Sequence, residues 1–133
     1  MCIDGSAQPF YSTDGGVTWT ASGVFIGAST GVGGAVQGGV FVMFCDNGLT
    51  SQLFTSRSTD GGVSWSSPIL LRNPGAGAAI VGNGGGILVA LSSTNATPNY
   101  WTSADNAVSW TAHATFANTG WGNSQTQNTA LFD

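Results

Sequence analysis

The chain has 133 residues, of which 6% are charged, 41% are hydrophobic and five are tryptophan, with a net charge of −4. That length and apolar content suit one folded domain spanning 1–133, not a disordered tail. Two arginines and no lysine give the wrong field for gripping a phosphate backbone, so no nucleic-acid partner is expected, and no apolar run approaches the ~18 residues of a membrane span.

The first residues, MCIDGSAQPF, carry neither a basic nor an apolar leader region, so no signal peptide is expected. The chain is expected to open near the second strand of a unit, with MCID or AQPFYS leading into an eight-residue box, Ser12–Trp19, with the sequence STDGGVTW. WTAS follows as another short strand. Next come GGAVQ, GGVFVMFCDNG and SQLFTSRS, then a second box, STDGGVSW at Ser58–Trp65, and the run WSSPILL. The series repeats as GAAIVGN, GGGILVALSS and PNYWTSA, a third box, SADNAVSW at Ser103–Trp110, and WTAHATF. The tail contains one more strand-like run, NTALFD. These runs are rich in Val, Ile, Phe, Thr and Trp, are bounded by Gly, Asn or Ser, and show no 3.6-residue period. The aspartates at 14, 60 and 105 recur every 45 or 46 residues. Four strands per repeat, with the box as the turn between the third and fourth, is the spacing of a β-propeller blade.

The box resembles the Asp-box, S-x-D-x-G-x-x-W, of sialidase-like (BNR-repeat) propellers. Ser12, Asp14, Gly16 and Trp19 match it, as do Ser58, Asp60, Gly62 and Trp65. Ser103, Asp105 and Trp110 match it too, with Ala107 in place of the glycine. The resemblance implies an all-β Asp-box propeller segment of about three four-stranded blades. In that family the box is structural. Its aspartate is expected to accept from turn amides and from the serine hydroxyl. Its glycine is expected to take positive φ, and its tryptophan to pack on the neighbouring blade. If Ala107 takes positive φ, the third turn should be the weakest by roughly 1 kcal/mol, unless Asn106 takes the left-handed position instead.

Sialidase chemistry uses three arginines, a tyrosine paired with a glutamate, and an aspartate. This chain has Arg57, Arg72, Tyr11 and Tyr100 but no glutamate, so no catalytic residue is assigned. Arg57 is expected to be solvated on an outer strand and Arg72 to lie in a loop. Asp46 reads as a hairpin-turn residue and His113 as a strand residue. Asp4 and Asp133 are the remaining acids. Cys2 and Cys45 read as buried thiols. Asn95-Ala96-Thr97 fits a glycosylation sequon, a weak pattern. The glycine-rich stretches GVGGAVQGG and GNGGGI lack the lysine of a phosphate loop and read as hairpin turns. No metal or cofactor is expected.

Tyr100, Trp101 and Trp121 stand in polar company as candidate ligand contacts for a glycan, with blade-to-blade packing the competing role for Trp101, where it is favoured, and for Trp121. The expected role is a non-enzymatic structural or recognition module, extracellular or on a virion surface. The alternative is a fragment of an Asp-box glycoside hydrolase whose catalytic residues lie elsewhere. Three blades leave open flanks. The partner is therefore either a second copy, two chains closing a six-bladed ring, or further blades of a longer chain.

Overall fold

Two glycines set the hairpin between the fourth and fifth strands. Gly38 and Gly39 have φ of 55° and 79°, the pair of left-handed residues that a two-residue turn between twisted strands requires. On either side run β4 (Ser29–Gln37) and β5 (Val40–Asn47), with Gln37 paired to Val40 across the turn. This computed structural model describes residues 2–3, 8–23, 29–47, 52–72, 78–92 and 100–113.

The described residues contain strands and turns and no helix. In chain order the other strands are β1 (Cys2–Ile3), β2 (Pro9–Tyr11), β3 (Thr20–Ala21), β6 (Gln52–Ser58) and β7 (Ile69–Arg72). They are followed by β8 (Ala78–Gly82), β9 (Leu88–Ser92), β10 (Tyr100–Ser103) and β11 (Thr111–His113). They form three antiparallel sheets, here called A (β1-β2-β3), B (β4-β5-β6-β7) and C (β8-β9-β10-β11), each a simple meander. The fold is therefore all-β, built of small antiparallel sheets. The boxes fall at the β2–β3, β6–β7 and β10–β11 turns. In sheets B and C that is the turn between third and fourth strands.

The glycine-rich stretches divide. Ser29–Gln37, which holds most of the first, is a nine-residue strand. The turn takes only its last two glycines. Asn83–Ile87 is a loop in which the Asn83 side-chain oxygen accepts from the Gly85 and Ile87 amides at 2.8 and 3.0 Å. Asp46, expected in a turn, instead lies on β5, one residue before its end, opposite Leu53. Arg72, expected in a loop, ends β7.

The core lies between sheets B and C. Val42 and Phe44 of β5 and Leu53 of β6 are fully buried, and they meet Leu88, Ala90 and Trp101 of sheet C. Met43 and Cys45, on the opposite face of β5, are buried too, so this central strand is covered on both sides. β4 lies against β8, and the approach is close. A Cβ at Gly82 would stand 2.6 Å from the Gln37 side-chain oxygen and 3.3 Å from the Val36 carbonyl. Glycine at 82 makes that contact possible, and buried Gln37 uses it to accept from the Gly84 amide at 3.2 Å.

In the third box both Asn106 and Ala107 are left-handed, with φ of 57° and 63°. The strain anticipated at Ala107 is present, but its methyl group is buried against Val40, Val42 and Leu88. Left-handed alanine costs about 1 kcal/mol relative to glycine, and a buried methyl contributes about 0.8 kcal/mol. Ala107→Gly is therefore expected to shift stability by less than about 0.5 kcal/mol in a urea titration. Gly62→Ala, at φ 94° with its new Cβ 3.4 Å from Tyr11 Cβ, is expected to lose at least about 1 kcal/mol.

Candidate functional site

The three boxes share one hydrogen-bond scheme. In the second, the Ser58 hydroxyl donates to Asp60 Oδ1 at 2.7 Å and accepts from the Gly62 amide at 2.8 Å. The Asp60 carboxylate reaches forward across the turn. It accepts from the Ser64 amide at 2.9 Å and from the Ser64 hydroxyl at 2.5 Å. In the first box Ser12, Asp14, Gly16 and Thr18 make the same four bonds, at 2.7, 2.8, 2.9 and 2.5 Å. In the third, Ser103, Asp105, Ala107 and Ser109 make them at 2.8, 2.9, 3.0 and 2.5 Å. In each box two of the turn amides that the strand ladder leaves over are thus bonded to the serine and the aspartate side chains.

Thr18, Ser64 and Ser109 were missed by the motif, which treats their position as free. The signal was available, because a hydroxyl stands there in all three copies. That hydroxyl gives its aspartate a charge-assisted bond.

The bonds draw the carboxyls down. Asp60 is lowered to about 2, first by the Ser64 hydroxyl, then by the Ser64 amide and the Ser58 hydroxyl. Asp105 is lowered to about 2 by the Ser109 hydroxyl and then its amide. Asp14 lies well below the usual carboxylate range, chiefly through the Thr18 hydroxyl and amide. A group with a depressed folded pKa adds stability above its unfolded value, here near 3.8, and that stability disappears as pH falls through the folded value. The urea midpoint is therefore expected to be flat from about pH 8 to 5 and to fall between about pH 4 and 2. The loss is modest, since all three carboxylates are exposed and solvent-screened. A midpoint unchanged down to pH 2 would contradict this.

The tryptophans differ where the turns do not. Trp65 is 8% exposed, and its indole N–H donates to the Gly62 carbonyl and to the Ser22 hydroxyl of sheet A, both at 3.1 Å. Ser22 in turn donates to the Pro9 carbonyl at 2.9 Å. Trp110 is half-buried against both core clusters, and its indole N–H has no partner. Trp19 was expected to pack on a neighbouring sheet. It is 45% exposed and bonds only back to the Gly16 carbonyl, at 3.0 Å, because among the described residues no sheet precedes its own.

The candidate ligand contacts separate. Trp101 is 2% exposed, held in the core with Phe44, Leu53 and Ala90, and offers no face to a ligand. Strand alternation turns it inward and puts Tyr100 and Thr102 on the other face of sheet C. Tyr100 is half-buried and stacks on His113, with ring centroids 4.6 Å apart and planes 7° from parallel. The Thr102 hydroxyl lies 2.7 Å from His113 Nε2. His113 is, as expected, a strand residue. Trp121 lies outside the described residues, as do Asp4, Asn95 and Asp133, and so do the side chains of Cys2, Asp46 and Arg72.

Arg57 corrects another expectation. It lies on β6, an inner strand, and is half-buried, with its Nε enclosed and unpartnered. It lines a shallow open groove with Thr59, Ser64, Trp65 and Ser66. Among the described residues no three His, Cys, Asp or Glu side chains cluster to hold a metal ion. No protein-family model and no curated protein matches the chain.

Proposed function

We propose that the chain is a segment of an Asp-box β-propeller that works as a non-enzymatic scaffold and recognition module, of the extracellular or virion-surface kind. The observation that carries the reading is the repetition of one unit. Sheets B and C are four-stranded meanders with the box at the same turn, and each box leans on the sheet before it. Box two reaches sheet A through Trp65 and Ser22. Box three reaches sheet B through Ala107, which meets Val40 and Val42. A unit stacked on its predecessor in this way is how a blade is built.

The chemistry supports a scaffold over an enzyme. The three box carboxylates are held ionised by their own turns, unsuited to donating a proton near neutral pH. A surface with few charges and many hydroxyl and amide groups suits neutral polyhydroxylated ligands, so a glycan is the proposed ligand and Trp121 the aromatic proposed to stack on it. A glycan array tests this: binding to a defined set of sugars, lost in Trp121→Ala with the fold intact by circular dichroism, is the expected result. Binding that survives Trp121→Ala would discard that residue's role. No binding to any glycan would leave a scaffold whose partners are proteins.

A further inference from the structure

We infer that the face around Trp19 and Val17 docks on the outer face of sheet C in a second copy of the chain, head to tail; this rests on the repeat-scaffold reading above. Among the described residues box two leans on sheet A and box three on sheet B, though only Trp65 finds a hydrogen-bond partner there, and no described sheet lies against box one or the outer face of sheet C. In the A–B contact the leading half is box two, with Trp65 over Ser22 and Gly62 beside Tyr11. The matching half-contact of box one lies bare. Val17 is 82% exposed, against 45% for Val63 and 54% for Val108 at the same box position, and Trp19 is 45% exposed against 8% for Trp65.

The trailing half of the A–B contact has a positional counterpart on sheet C. Tyr11 precedes its box serine by one residue, and Ser22 follows its box tryptophan by three. The same offsets in the third repeat give Thr102 and His113. The registers agree as well: Tyr11 pairs with Thr20 and Phe10 with Ala21, while Thr102 pairs with Thr111 and Trp101 with Ala112. Thr102 and His113 therefore stand on sheet C where Tyr11 and Ser22 stand on sheet A, and both are only half-buried. His113 can replace Ser22 as acceptor. In the tautomer whose Nε2–H donates to the Thr102 hydroxyl, Nδ1 is the acceptor left for the Trp19 indole N–H. A second copy supplies both missing halves without any new kind of surface. Two such contacts related by a twofold axis close a pair, a head-to-tail arrangement in which each chain gives one leading and one trailing face. An exposed tryptophan at its centre is the residue type that carries such interfaces.

The test is solution mass by light scattering on the full chain, with four variants. The wild type is expected near twice 13.4 kDa. Trp19→Glu and Val17→Asp damage only the leading face, and His113→Glu and Thr102→Glu only the trailing face. Each alone is expected to run near 13.4 kDa. Mixing a leading with a trailing variant restores one intact contact, so the mixture is expected to regain the double mass; a face that pairs with itself would not be rescued. A wild type of single mass, or mixtures that stay at single mass, overturns the docking. If that wild type keeps a β-sheet circular dichroism spectrum, the scaffold reading stands without it; if the chain is unfolded alone, both fall.

Discussion

Trp101→Ala is expected to remove about 3–5 kcal/mol of stability, more than any other single truncation in the described residues. Trp101 is the largest side chain that is fully buried. It holds β10 against β5 and β6 through Phe44 and Leu53, so its loss opens a cavity at the junction of two sheets. The neighbours sit on strands fixed by their own ladders and can collapse into that space only in part. A domain of this size has about 5–15 kcal/mol in total, so the variant should be marginal at room temperature. Urea denaturation followed by tryptophan fluorescence gives the number directly. A tryptophan that served a ligand at the surface would cost within about 0.5 kcal/mol when truncated, and such a value would refute the burial described above.

The second large effect is expected at the box serines, and it should be graded. Ser58→Ala deletes the hydroxyl that takes the buried Gly62 amide and gives to Asp60. The amide is left without a partner in a place water does not reach, and the charged acceptor loses a donor. Together these cost about 2–3 kcal/mol. Ser103→Ala should match it, since Ser103 is as buried as Ser58 and Ala107 donates to it in the same way. Ser12→Ala makes the same chemical change where the turn is exposed and water can replace the hydroxyl. It is expected to cost about 1 kcal/mol or less. Equal losses at all three serines would mean that burial of the turn contributes nothing.

The strand plan and the turns were legible because both are local. Alternating apolar runs, paired glycines and the serine–aspartate pair act within a dozen residues, and the box bonds formed as anticipated. The Asp46 and Arg72 positions slipped by a few residues because a turn signal marks a neighbourhood, not the last ladder pair. Tryptophan burial could not be read. Trp19, Trp65 and Trp110 occupy one motif position, yet only Trp65 is buried, because burial depends on which sheet lies alongside. For Trp101, among Pro98, Asn99 and Thr102, polar neighbours leave ligand contact and sheet packing both open, and the packing role is the one found. The third hydroxyl of the box was overlooked for a different reason: a pattern written as fixed and free positions hides a residue that alternates between Ser and Thr.

The lengths of the outer strands bear on how such a chain stays in solution. It has no lysine and few charges, so charge repulsion does little to keep exposed strand edges apart. Yet among the described residues the strands that follow the boxes are brief, two residues in β3, four in β7 and three in β11, while the nine-residue edge strand β4 lies against β8. Along that described length another molecule adding to one of these edges could form only a few ladder bonds. Very short edge strands are one of the means by which β-proteins resist fibril-like growth. Along the described edges short strands, and at β4 the cover of β8, stand where lysine-rich sheets rely on charge.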